Sequence, residues 1–521
     1  MTFQARSFQA AGGDGVDTPT LTPRADTYTG TEGDDLLLAG PEGFTAGDNI
    51  DGGDGYDTVK LTSGGTLDIT RATRIAGIER LEGSSGNDTF IVSPSRMGDI
   101  DDIDGGDGFD VVRMVESGVL NVAWMTSIEK VEGTSGNDRF YVAAGNETTI
   151  LGGGGDDTVE MLEAGLLDLR KFTGIETVEG YDEADTFLVA ADNTTVIRGG
   201  AGTDTVRLVK WGLLDLGKFA SIERVTGSEG DDVFLYNPGL RTVLDGGLGT
   251  DTLKLASAGT MVLSSLAGLT GVERILGSSG KDTFVLGATG MGTCNVIDGG
   301  AGLDTVRIEG GSQIDLGRFV NIERITGSNG DDVFLYNAAF RSALDGGQGS
   351  DTLKLATAGT LRVDRLSEAS GIERFEGSEG NDTLFGGKGA ETLLGGAGSD
   401  VLKGGSGRDT LTGGAGQDRF LFDSAPGATH ADRITDFSVE DDTIQLENAV
   451  FSRLKATGTL NAGFFAANDR GLAADRNDHV VYNTRTGELF YDADGSGKGA
   501  ALLIATLEGA PSLTAADFTV I

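Results

Sequence analysis

GSEGNDTLF GGKGAETLL GGAGSDVLK GGSGRDTLT GGAGQDRFL, residues 377–421, is a run of nonapeptides laid end to end without a gap. Each opens on glycine (Gly377, Gly386, Gly395, Gly404, Gly413), with an acid in sixth place (Asp382, Glu391, Asp400, Asp409, Asp418). The eighth place is apolar: Leu384, Leu393, Leu402, Leu411, Phe420. A fixed short period marks a repeat architecture, in which a unit buries its apolar face only by stacking on the next. Short apolar runs between Gly-Asp clusters read as strands joined by turns.

The residue types in the turn point to a cation. Glycine reaches positive φ without steric cost and so turns main-chain carbonyls toward one point. A hard ion such as Ca²⁺ takes roughly six to eight oxygens, from carboxylates and carbonyls. The expected ligands are Asp382, Asp400, Asp409, Asp418 and Glu391, although Glu391 departs from the aspartate rule. Carbonyl corners fall at Gly386, Gly387, Gly389, Gly395, Gly396, Gly398, Gly404, Gly405, Gly407, Gly413, Gly414 and Gly416. A nonapeptide is half a coil, so alternate turns stack. Asp382, Asp400 and Asp418 then share one edge, and Glu391 shares the other with Asp409. The segment resembles the RTX (repeats-in-toxin) family, whose G-G-x-G-x-D-x-U-x unit it matches at nearly every position.

Upstream, residues 30–376 carry the same turn in a longer repeat, mostly 47 to 53 residues. One class begins Gly-Gly, at Gly52, Gly105, Gly152, Gly199, Gly246, Gly299 and Gly346. Its sixth residues are Asp57, Asp110, Asp157, Asp204, Asp251, Asp304 and Asp351. A second class usually begins Gly-Ser or Gly-Thr, at Gly30, Gly83, Gly133, Gly180, Gly227, Gly277 and Gly327. Its sixth residues are Asp35, Asp88, Asp138, Asp185, Asp232, Asp282 and Asp332. These aspartates, Asp185 in its irregular turn excepted, join the expected calcium ligands. Steps of 19 or 22 residues alternate with steps of 28 or 31, which reads as two coils, the second enlarged by a strand such as LLDLGKF (213–219). Phe90, Phe140, Phe187, Phe234, Phe284 and Phe334 form one inward column; Val59, Val112, Val159, Val206, Leu253, Val306 and Leu353 form another. Two charged columns also recur. Lys60, Arg113, Glu160, Arg207, Lys254, Arg307 and Lys354 make one; Glu79, Glu129, Glu176, Glu223, Glu273, Glu323 and Glu373, each after Ile or Val, make the other. They read as a solvated face of cross-coil ion pairs, or alternatively as a groove for an anionic surface or matrix polysaccharide. In IERV the glutamate shares strand parity with Val225 and not with Ile222, which a plain solvated face does not explain.

Composition fits this reading. Of 521 residues 86 are glycine and only 7 proline, which argues against collagen and proline-rich disorder. The 81 acids against 40 basic residues give a formal charge of −41, so nucleic acid and anionic lipid are poor partners. The lone Cys294 excludes an intrachain disulfide, so an exported chain needs another staple. No transmembrane segment is expected, because no apolar run approaches the roughly 18 residues of a membrane span, and the first residues lack the apolar core of a signal peptide.

After residue 421 glycine thins. DRITDFSVEDDTIQL (432–446) and the closing ADFTVI are similar to the region that follows the repeats in serralysin-type proteases and other type I-secreted proteins, although Thr519 interrupts the apolar tail. That resemblance implies an uncleaved C-terminal export signal, the type I secretion machinery as partner, and an extracellular or cell-surface location. YDADGSGKG (491–499) begins like an EF-hand loop with Asp492, Asp494, Ser496 and Gly497, but Leu503 stands where a bidentate glutamate belongs, so a hairpin turn is expected.

No enzyme is expected. There is no H-E-x-x-H, no G-x-S-x-G and no G-K-[ST], and His430 and His479 lie 49 residues apart. The irregular turn GYDEAD (180–185), with Glu183 in place of a glycine, reads as repeat decay. The reading is an all-β parallel β-roll or β-helix solenoid of calcium-binding Gly-Asp turns with a small β-rich C-terminal region. An irregular leader (1–29) precedes the long repeats (30–376), the nonapeptide roll (377–421) and the C-terminal region (422–521). The function expected is that of a secreted, non-enzymatic protein that folds on binding several Ca²⁺ ions and acts at the cell surface or in extracellular matrix. A calcium-dependent polysaccharide lyase or epimerase on the same scaffold is the alternative, and a toxin-like RTX protein the second.

Overall fold

A computed structural model describes residues 6–9, 18–238, 241–287, 293–337, 340–366 and 369–521. Strands of two to six residues dominate it, with one-turn 3-10 helices as the other regular element. Two compact units are present, Met1–Lys254 with Ser265–Glu273, and Leu255–Ser264 with Arg274–Ile521. Each is built as a parallel β-solenoid.

In the first unit, strand Thr186–Val189 pairs in parallel with Thr205–Leu208, that with Arg224–Thr226, and that with Val243–Asp245. Alternation within each short strand turns one side inward and the other to solvent. The inward residues Phe187, Val206, Val225 and Leu244 are in register and fully buried. Each contributes on the order of 1.5–3 kcal/mol of hydrophobic stabilisation, and parallel register passes the column from coil to coil. The enlarged coil holds strand Leu213–Asp215, a 3-10 turn at Leu216–Lys218 and strand Phe219–Ala220. Asp215 ends the first strand by capping that turn, its carboxylate accepting the Gly217 N–H at 2.9 Å. Leu213–Asp215 pairs forward with Val233–Tyr236, whereas Phe219–Ala220 pairs back with Val196–Arg198. The extra strand thus makes coils of two and three strands alternate.

The solenoid pattern also reaches into the segment expected to be an irregular leader. Strand Asp26–Thr29 pairs with Asn49–Asp51, and Asp26 takes the Thr22 N–H into its own carboxylate at 2.6 Å.

In the second unit the nonapeptides form two parallel ladders. Thr383–Phe385, Val401–Lys403, Arg419–Phe422 and Thr443–Leu446 make one; Thr392–Ala397, Thr410–Ala415 and Asp432–Ile434 make the other. Beyond them, Val480–Asn483, Glu488–Tyr491 and Leu502–Leu507 form an antiparallel meander, and Phe518–Val520 returns to pair in parallel with Thr443–Leu446. The loop 492–501 joins two meander strands, as the expected hairpin requires.

Candidate calcium-binding turns

The turns of one repeat stack into a short ladder of main-chain donors and carboxylates. The Gly212 N–H donates to Asp232 Oδ1 (2.9 Å), the Asp232 N–H to Asp251 Oδ1 (2.7 Å), and the Asp251 N–H to Glu273 Oε2 (2.9 Å). The same order runs Gly165, Asp185, Asp204, Glu223 and Gly118, Asp138, Asp157, Glu176. It recurs as Gly65, Asp88, Asp110, Glu129, and in the second unit as Ser312, Asp332, Asp351, Glu373. Asp35, Asp57 and Glu79 continue the pattern in the first unit, and Gly259, Asp282, Asp304 and Glu323 in the second. The glutamates after Ile or Val are therefore corner acceptors, each taking the main-chain N–H of an aspartate one coil before it, which accounts for their parity. Ion pairs belong to the other column: Lys60 meets Glu82 (2.6 Å), Arg113 meets Glu132 (2.6 Å) and Lys354 meets Glu376 (2.8 Å).

The two turn classes differ in backbone. In every Gly-Gly turn of the long repeat, and in those opening at Gly395, Gly404 and Gly413, the second residue has φ of +89° to +109° and the fourth +113° to +143°. At Gly247 (φ +98°) only glycine adopts this without strain, and its N–H points outward toward Asp245 at 3.3 Å. In the second class the residue at that place has a Cβ and avoids positive φ. The Ser228 N–H consequently faces inward and donates to Asp232 Oδ2 at 2.6 Å, and its hydroxyl adds a bond to the same oxygen at 3.0 Å. Main-chain closure recurs at Thr31, Ser84, Thr134, Tyr181, Ser278, Ser328 and Ser378, at 2.5–2.7 Å. The irregular turn at Gly180 keeps this bond through Tyr181 and loses only the hydroxyl.

The first class is left open. Oδ2 of Asp57, Asp110, Asp157, Asp204, Asp251, Asp304, Asp351, Asp400, Asp409 and Asp418 is buried without a hydrogen-bond partner, as is Oε2 of Glu391. Such an atom costs about 1–3 kcal/mol, more when charged. Burial pushes the carboxyls of Asp57, Asp110, Asp251, Asp351 and Asp400 up to about 6, against the lowering effect of the N–H each accepts. A main-chain oxygen faces the same spot. A Cβ on Gly246 would lie 1.8 Å from the Gly271 carbonyl oxygen and 2.7 Å from Asp251 Oδ2, and on Gly52 it would lie 1.7 Å from Gly77 O and 2.4 Å from Asp57 Oδ2. Among the described residues no three carboxylate, imidazole or thiolate groups converge on one metal position. An ion here would take carboxylate and carbonyl oxygens together, the donor set that suits calcium.

Along the nonapeptides the Asp382 N–H donates to Asp400 Oδ1 (2.7 Å) and the Asp400 N–H to Asp418 Oδ1 (2.9 Å), while on the other edge the Glu391 N–H donates to Asp409 Oδ1 (2.8 Å). Gly387 and Gly389, in the Glu391 turn, do not take the positive φ of their counterparts. Both edges are closed from outside the repeats by residues that consensus matching misses. The Asp409 N–H donates to Asp432 Oδ1 (3.1 Å) and the Asp418 N–H to Asp442 Oδ1 (3.0 Å). Asp436 accepts from Gly413 (2.9 Å) and Gly414 (2.8 Å). A Cβ on Gly404 would lie 2.5 Å from Asp409 Oδ2 and 2.7 Å from Asp432 Oδ2, and burial raises both carboxyls. The signal for these caps was the D-x₃-D-x₅-D spacing in DRITDFSVEDD.

The remaining candidates have local partners. His479 Nδ1 lies 2.8 Å from the Asp492 carbonyl oxygen, Asp494 accepts the Gly499 N–H at 3.0 Å, and buried Cys294 donates to Val296 O at 3.1 Å.

The model of the RTX calcium-binding nonapeptide repeat matches residues 75–91, 127–159, 369–402 and 394–424. This chain carries RTX repeats. The first two RTX matches fall in the long-repeat region, so its turns are versions of the nonapeptide turn. RTX repeats imply Ca²⁺ binding and are typical of secreted proteins. No curated protein matches the chain. Among solved structures it is similar to the AlgE6R3 subunit from the Azotobacter vinelandii mannuronan C5-epimerase, with 28% identity over 32% of this chain and 80% of that one, at a TM-score of 0.21. Among the described residues no helix is long and apolar enough to cross a membrane.

Proposed function

We propose that this chain is a secreted, non-enzymatic calcium-binding solenoid that folds when calcium fills its Gly-Asp turns outside the cell, after type I export, and acts at the cell surface or in extracellular matrix. The observation that carries the reading is the set of buried, unpartnered aspartate oxygens, each in a stacked turn. Without an ion those carboxylates oppose folding through burial and mutual repulsion, which suits a chain that must stay extended for transport. Bound calcium would neutralise them, and a site at a hundred times its dissociation constant adds about 2.7 kcal/mol of stability.

Far-UV circular dichroism of the full chain, stripped of calcium and then titrated, tests the proposal. A cooperative gain of β signal is expected. A β-rich spectrum unchanged by calcium or its removal would overturn it.

A further inference from the structure

Resting on the calcium reading, we infer that the residue in second place of each turn decides whether the turn takes an ion, and that turns with Ser, Thr or Tyr there close on themselves and take none.

Both classes present an aspartate in sixth place and stack through the same ladder. What separates them is the fate of Oδ2. In the Gly-Gly turns this atom is buried and unpartnered. In the other turns the second residue's N–H occupies it, at 2.7 Å in Asp35, 2.6 Å in Asp88 and 2.7 Å in Asp138. A hydroxyl adds to it at Thr31, Ser84, Thr134, Ser228, Ser278 and Ser378. The cause is a single carbon atom. A Cβ forbids the left-handed backbone of Gly247, so the peptide turns over and its N–H fills the place where the open turn presents a bare oxygen. A cation entering a closed turn would have to break the second residue's N–H bond, and in most turns a hydroxyl bond as well, and then sit beside an N–H, which repels it. The long repeat therefore alternates ion-held and hydrogen-bond-held turns, with Asp232 serving the closed kind and Asp251 the open kind.

Calcium stoichiometry of the full chain, by equilibrium dialysis with elemental analysis, tests this. Ser228→Gly, Ser278→Gly and Ser328→Gly combined should gain one ion for each opened turn, whereas Ser228→Ala, which keeps the Cβ, should gain none. In the opposite direction Gly247→Ser with Gly347→Ser, whose Cβ atoms would lie 2.2 Å and 2.1 Å from the Ser228 and Ser328 carbonyl oxygens unless the peptide turns over, should lose one ion each. An unchanged count in both glycine and serine variants, or a wild-type count near one ion for every turn of both classes, would overturn the inference while leaving calcium-dependent folding intact. A wild-type chain that binds no calcium would remove the functional proposal itself.

Discussion

Asp204 and Glu223 stand one coil apart, and the main-chain N–H of the aspartate ends on Oε2 of the glutamate at 2.8 Å. The contact has a counterpart in every long repeat and closes the ladder within that repeat. Removing the acceptor strands an N–H on a buried residue, at a cost of about 1–3 kcal/mol. Glu223→Ala should lower the calcium-saturated stability by that amount in urea denaturation, and Glu223→Gln, which keeps an acceptor, by well under half as much. Equal, negligible losses would mark the glutamate as an ordinary surface residue.

The cap at the end of the nonapeptide roll makes a second prediction. Asp432 accepts the Asp409 N–H and shares its buried corner. Asp432→Ala should raise the calcium midpoint of folding about tenfold, equivalent to about 1.4 kcal/mol, whereas Asp469→Ala on the exposed surface should not move it. Coincident titrations of the two variants would refute the cap.

Acidity should act oppositely with and without calcium. The open-turn carboxyls are raised by burial from the ordinary 3.8 to about 6 in Asp57, Asp110, Asp251, Asp351 and Asp400. A raised carboxyl lets the folded chain hold protons that the unfolded chain has lost. Its stabilising contribution is therefore complete below 3.8 and disappears as pH rises through about 6. In resin-stripped buffer the chain should be more folded near about pH 5 than near about pH 7.5. With calcium present the order should reverse, since the ion needs the deprotonated oxygens. Matching pH profiles in the two buffers would contradict this.

The inward column supplies the fourth expectation. Phe234 is fully buried and in register with Leu214 of the enlarged coil. Phe234→Ala should cost about 3–5 kcal/mol in calcium-saturated denaturation. A loss below about 1 kcal/mol would show that the coil collapses around the missing ring.

Much of this architecture was legible from residue order alone. The period at 377–421 yields the roll, the alternation in TFLV and TVRL yields the inward column, and LLDLGKF marks the added strand. The two turn classes were legible in their second residue, but what that residue does to the carboxylate was not, because Asp232 and Asp251 occupy one consensus place. Their difference lies in which way the peptide at Ser228 or Gly247 faces, a property of φ that aspartate spacing does not encode. The Glu223 column had left a clue in its parity, but a corner carboxylate looks like a surface charge until its donor one coil away is known. Asp432 and Asp442 were missed because they follow the last repeat and borrow its geometry without its glycines.

The half-coil length of the nonapeptide governs how such a gene can grow. Excising the nine-residue unit 386–394 would carry every later turn across to the opposite side of the roll, parting Asp382 from its match at Asp400 and delivering the closing segment to the wrong face. Excising two would shorten the roll by a full coil and keep each side in phase. Gains and losses in this lineage should therefore come in even numbers of nonapeptides.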